Sequence, residues 1–120
     1  MEITVSDFNK VKIAELVSDK IEINTVDDAL DLIGNSGYLG AAKVIIYEKN
    51  LNPDFFDLKT RLAGEILQKF SNYNLSLAIV GDFSKFNSKS LKDFIYESNK
   101  RGRIVFAKDV NKAKEQLARD

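Results

Sequence analysis

The chain has no cysteine, no histidine and a single proline, Pro53. Without cysteine there is no disulfide framework, no thiolate metal ligand and no sulfur nucleophile. Without histidine the commonest metal ligand, the usual general base near neutral pH and the usual pH switch are all missing. A bound metal would need oxygen ligands, a pattern that suits Mg, Ca or Mn rather than Zn. No metal and no other cofactor is expected. Long apolar runs are missing too, since nothing approaches the roughly 18 residues that a membrane span needs. Met1-Glu2-Ile3-Thr4-Val5 lacks the basic and apolar regions of an export signal. The expected location is therefore the cytoplasm. With one proline, no low-complexity tract and no internal repeat, nothing divides the 120 residues, and 1–120 reads as one domain.

Charge of one sign is also lacking. Lysine and arginine number 18, aspartate and glutamate 18, so generic polyanion binding is not the default. The distribution is uneven, however: residues 1–83 carry 8 basic and 13 acidic side chains, residues 84–120 carry 10 and 5. Such polarity can orient a partner or favour self-association, although a solvated surface produces it equally well.

Apolar residues form 44% and charged residues 30% of the chain, which suits a packed core. The apolar pattern alternates strand and helix. Ile3–Val5 and Val11–Val17 read as strands joined across Ser6–Lys10, and Ile21–Ile23 as a brief extended piece. Thr25 caps a helix whose Val26, Ala29, Leu30 and Ile33 form one stripe, with Gly34 or Gly37 ending it. Lys43–Glu48 and Leu75–Val80 are continuous β-branched or aliphatic runs, as in strands buried on both faces. Between them lie a long loop, with Asn52-Pro53 opening a helical turn, and a helix that buries Leu62, Ala63, Ile66, Leu67 and Phe70. A helix over about Ser90–Asn99, stopped by Gly102, leads to a last strand at Arg103–Phe106. Asp109 then caps a helix with Val110, Ala113 and Leu117 inward. The order β-β-(β)-α-β-α-β-α-β-α predicts an α/β fold with a single mixed, mainly parallel sheet and an antiparallel N-terminal edge.

The blocks Leu77-Ala78-Ile79-Val80-Gly81-Asp82-Phe83 and Phe94-Ile95-Tyr96-Glu97-Ser98-Asn99 resemble an uncharacterised bacterial family, the domain-of-unknown-function 4180 family. Ala29–Gly34 and Leu62–Phe70 are similar to its other blocks. More remotely, the element order resembles the STAS-type fold of anti-sigma-factor antagonists. That resemblance implies a regulatory, protein-binding role. Phosphorylated STAS proteins carry an Asp-Ser-Ser-Gly-type motif where this chain has Leu58-Lys59-Thr60-Arg61-Leu62, so Thr60 is the only hydroxyl there and the motif is otherwise absent.

Ligands in such sheets gather beyond the carboxyl ends of the parallel strands. Two loops, 48–60 and 81–90, meet that description. Glu48 and Asp82 end the two central strands and could face one crevice with Asp54 and Asp57, as a cation site or acid–base pair. A capping Asp82 and a solvated Glu48 are the simpler alternative. Phe55, Phe56, Phe83 and Phe86 could wall an apolar pocket or contact patch, with Phe56 and Phe83 expected to turn inward. Thr60 lies near a helix start, where a phosphate is favoured, but where an N-cap is commonplace. Lys100, Arg101 and Arg103 form a basic turn without the stacking aromatics that nucleic acid requires, so no nucleic-acid partner is expected. Gly34, Gly37 and Gly40 read as turn residues, not a phosphate loop.

No nucleophile–base pair emerges. The leading expectation is a non-enzymatic regulatory or interaction domain that binds a protein partner or itself. The rivals are a small apolar or lipid-like ligand held between the phenylalanine loops, and a metal-assisted hydrolase using Glu48 and Asp82.

Overall fold

A computed structural model describes residues 1–119. Its strands are β1 (Glu2–Phe8), β2 (Val11–Val17), β3 (Lys43–Tyr47), β4 (Ser76–Val80) and β5 (Ile104–Ala107). The helices are α1 (Val26–Tyr38), α2 (Leu62–Asn72), α3 (Lys89–Arg101) and α4 (Val110–Leu117). They build one sheet in the order β1-β2-β3-β4-β5, with β1 antiparallel to β2 and every other pair parallel. The fold class read from the sequence is the one observed.

The strand order is monotonic, and this decides where the helices go. Each right-handed crossover steps one strand in the same direction, so α1, α2 and α3 fall on one face. Ala14, Leu16, Val44, Ile46, Leu77, Ile79 and Phe106 pack there against Ala29, Leu32, Ile66, Phe70 and Leu91. The alternate strand residues Ile13, Ile45, Ala78, Val80, Val105 and Ala107 point to the opposite face, where α4 brings Ala113 and Leu117. α4 lies across β4 and β5 and reaches β3.

Some boundaries differ from the sequence reading, each for a local reason. β1 runs to Phe8, past the expected end at Val5, because the connection to β2 is only Asn9-Lys10. Both residues adopt positive φ, 51° and 69°, the geometry of a type I′ hairpin turn. α1 passes through Gly34 and Gly37, which were expected to stop it, and the left-handed residue that follows its end is Gly40 at φ 83°. Its amino end is as read: Thr25 Oγ1 accepts from the Asp28 N–H at 3.2 Å, and Asp28 accepts from the Thr25 N–H at 3.1 Å. Ile21–Ile23 contributes a single parallel bridge, Ile23 to Leu51, rather than a strand. Among the described residues, no helix is long and apolar enough to cross a membrane.

Candidate functional site

The connections leaving β3 and β4 meet over the carboxyl end of the sheet. Residues 48–60 form three 3-10 turns, Glu48–Asn50, Pro53–Phe56 and Leu58–Thr60. Pro53 suits the start of its turn because it has no N–H to satisfy there, and Asn52 Oδ1 accepts from the Asp54 N–H at 2.9 Å. Asp57 accepts from the Lys59 N–H at 3.2 Å. Thr60 Oγ1 reaches the carbonyls of Asp54 and Asp57 at 2.7 and 2.8 Å and accepts from the Leu62 N–H at 3.2 Å. A phosphoryl group on Thr60 would displace its donor contacts, so the hydroxyl serves as the clasp that closes this loop onto α2.

The residue that sequence reasoning missed is Asn50, which is fully buried. Its Nδ2 donates to the carbonyls of Ser18 and Lys20, both at 3.0 Å, and its Oδ1 accepts from the Tyr47 N–H at 3.1 Å. The Asn50 carbonyl accepts from the Glu22 and Ile23 N–H groups at 3.0 and 2.9 Å. Asn50 therefore ties the segment after β2 to the end of β3. A polar residue just past an apolar strand is too common for the sequence to flag this role.

The two strand-end carboxylates have different partners. Glu48 keeps 18% side-chain exposure and pairs with the Lys85 ammonium. Asp82 is exposed, and its Oδ1 accepts from the Ser84 hydroxyl at 2.6 Å and the Ser84 N–H at 3.1 Å. The hydroxyl bond first, and then the N–H bond, hold the Asp82 carboxyl below its ordinary pKa. Asp54 and Asp57 take part in the turns described above. Among the described residues, no group of three or more acidic side chains is placed to hold a metal ion.

The phenylalanines pack on one another. Phe55 is wholly buried, a core residue rather than a contact residue, and meets Phe56 edge-on at 5.0 Å between centroids. Phe56 stacks on Phe86 at 4.8 Å and lies 6.0 Å from Phe83, which meets Phe106 at 5.3 Å. Phe56 is buried, whereas Phe83 and Phe86 are half-buried. Such edge and offset contacts each add about 0.5–1.5 kcal/mol beyond area burial. The rings thus lock the two loops together. What remains beside Phe56 and Phe86 is a groove of about 210 Å³, bordered by Ile21, Leu51, Pro53 and the Glu48–Lys85 pair. Ligand sites usually offer about 300–1,000 Å³. Ligands in open sheets favour a reversal of strand order, and this sheet runs in one direction.

The molecule is thus a singly wound α/β domain whose carboxyl-end loops are sealed by aromatic packing. A family model described as a domain of unknown function (DUF4180) matches residues 8–117, and the chain belongs to that family. No curated protein and no solved structure matches the chain. The STAS-type likeness rests on element order alone.

Proposed function

We propose that this domain is a non-enzymatic, cytoplasmic protein-interaction module that pairs with a second copy of itself through β1. The observation that carries the reading is the free outer edge of that strand. β1 spans seven residues, pairs with β2 without a bulge, and among the described residues has no neighbour on its other side. The strand has no proline and no lysine, and its only charges, Glu2 and Asp7, stand near its two ends.

The two-residue turn sets which groups are free. Phe8 and Val11 flank it as a hydrogen-bonded pair, so Ser6, Thr4 and Glu2 also face β2. The N–H and C=O groups of Ile3, Val5 and Asp7 are left pointing outward. A twofold axis centred on Thr4 sets Ile3 opposite Val5 of the second copy, Thr4 opposite Thr4 and Glu2 opposite Ser6. This register opposes no like charges and joins apolar side chains on one face. Val5 retains 37% exposure in the single chain, an apolar surface that this pairing covers. A twofold contact of this kind closes on itself and needs no further partner.

Sedimentation equilibrium tests the reading. The wild type is expected to reach twice the 13.5 kDa chain mass as concentration rises. Thr4 is exposed and lies opposite Glu15 within its own sheet. Thr4→Lys therefore gains an intrachain charge pair while setting two ammonium groups face to face on the twofold, and should yield a folded monomer. Val5→Pro removes an outward N–H, tolerable in an edge strand, and should do the same. A wild type that stays monomeric, or a dimer that both variants leave intact, refutes the proposal.

A further inference from the structure

At the opposite end of the sheet, the amino ends of β3, β4 and β5 meet the carboxyl ends of α3 and α4 around a cleft of about 420 Å³. Lys43, Lys100, Arg101, Arg103 and Arg119 line it, with Ser76 and Gln116 between them and no carboxylate among its described lining residues. Among the described residues, none of these five cations has a carboxylate within ion-pair distance. Helix dipoles account for Lys100, Arg101 and Arg119 at helix ends. They do not account for Lys43 and Arg103, which arrive from the heads of two strands. Like charges that line one cleft repel one another, and an anion lying among them would relieve that repulsion.

The cleft does not stand alone. Arg101 and Arg103 also line a neighbouring groove of about 450 Å³ between α2 and α3. Its walls carry the apolar side chains of Leu67, Phe94 and Ile104, and Glu97 is its one carboxylate. Gly64 lines the same groove from the first turn of α2, and a β-carbon there would meet nothing within 4 Å. Among the described residues, no packing contact requires a glycine at this position. Its presence widens the groove.

We infer that this continuous surface binds a phosphate-bearing molecule with an apolar or aromatic body. The phosphate would lie among the cations of the cleft, and the body would lie along Gly64, Leu67 and Phe94. Two arginine forks suit the bidentate recognition of phosphate oxygens. Arg103 is already steadied for this role, since its guanidinium donates to the Leu75 carbonyl at 3.4 Å and to Asn74 Oδ1 at 3.2 Å. The site lies away from the β1 edge, so it stands or falls independently of self-pairing.

Calorimetric titration of the full chain with 1-naphthyl phosphate, pyrophosphate and 1-naphthol tests the inference. Naphthyl phosphate should bind about tenfold more tightly than either probe that supplies only one half of it. Its affinity should fall as salt rises. Arg101→Gln combined with Lys100→Gln should abolish binding of both phosphates. Gly64→Leu, a good helix former, should remove the preference for naphthyl phosphate and leave pyrophosphate binding unchanged. Vesicles of phosphatidylcholine and phosphatidic acid in equal parts identify the source of the ligand. Co-sedimentation lost in Gly64→Leu assigns a lipid, whereas naphthyl phosphate binding without co-sedimentation assigns a soluble molecule. Naphthol binding as tightly as naphthyl phosphate, or phosphate binding untouched by the charge variants, overturns the inference.

Discussion

Glu48 occupies the space that a side chain on Gly81 would need. A β-carbon on Gly81 would stand 2.7 Å from Glu48 Cβ and 2.9 Å from its Oε1. The close approach lets β3 and β4 finish side by side while the Gly81 N–H donates to the Ala107 carbonyl at 3.0 Å. It also directs the Glu48 carboxylate toward Lys85.

Gly81→Ala should therefore destabilise the fold by about 1–3 kcal/mol through overpacking. The Glu48 β-carbon is part of the clash, so Glu48→Gly should relieve it where Glu48→Ala does not. In a double-mutant cycle by urea denaturation, the Gly81→Ala penalty should shrink in the Glu48→Gly background. An unchanged penalty would show that the crowding lies elsewhere.

Asn50 makes three side-chain hydrogen bonds in a buried setting. Asn50→Ala leaves backbone groups of Ser18, Lys20 and Tyr47 without those partners. The expected loss is about 3 kcal/mol, since each buried unsatisfied group costs about 1–3 kcal/mol and local relaxation recovers part. Proteolysis should cut first within residues 18–23, the segment that Asn50 ties down. Cleavage confined to other segments would contradict this assignment.

Lys10 holds φ 69° in the β1–β2 turn without the freedom of glycine. Left-handed backbone costs a non-glycine residue about 1–2 kcal/mol. Lys10→Gly creates the Asn-Gly pair that the turn favours, and should raise stability by about 1 kcal/mol in urea. Destabilisation would mean that the lysine side chain contributes more than its backbone costs.

Tyr47 donates its hydroxyl to Glu15 Oε2 at 2.7 Å across β2 and β3. Burial first, then this bond and the Glu15 charge, push its pKa up from 10.0 to about 12. The folded state thus keeps the phenol proton that the unfolded chain has begun to lose. This contribution is fully present below pH 10 and is lost as pH rises through about 12. The wild type should lose stability over that window more steeply than Tyr47→Phe, as read by denaturant midpoints. Parallel profiles would remove the linkage.

The strands most legible in the sequence were those buried on both faces. Val44-Ile45-Ile46 and Leu77-Ala78-Ile79-Val80 can do little else than fill the middle of a sheet. Gly34 and Gly37 misled because glycine ends helices only where the backbone turns left-handed, and that turn falls at Gly40. Strand order was not legible, because it depends on which way each crossover steps. Glu48 and Asp82 do end neighbouring strands, but each takes its own partner. Their partners, Lys85 and Ser84, sit in one short loop whose path the residues do not announce. The basic cleft was visible only as the turn at Lys100, Arg101 and Arg103. Lys43 and Arg119, far away in sequence, complete it only in three dimensions.

Amide hydrogen exchange at Ile3 and Val5 tests the central claim, self-pairing through β1, most directly. Their N–H groups point away from β2, so a lone chain gives them no acceptor. The account predicts slow exchange at high protein concentration, fast exchange on dilution, and fast exchange at every concentration in Thr4→Lys. Fast exchange of both amides in the concentrated wild type would contradict it.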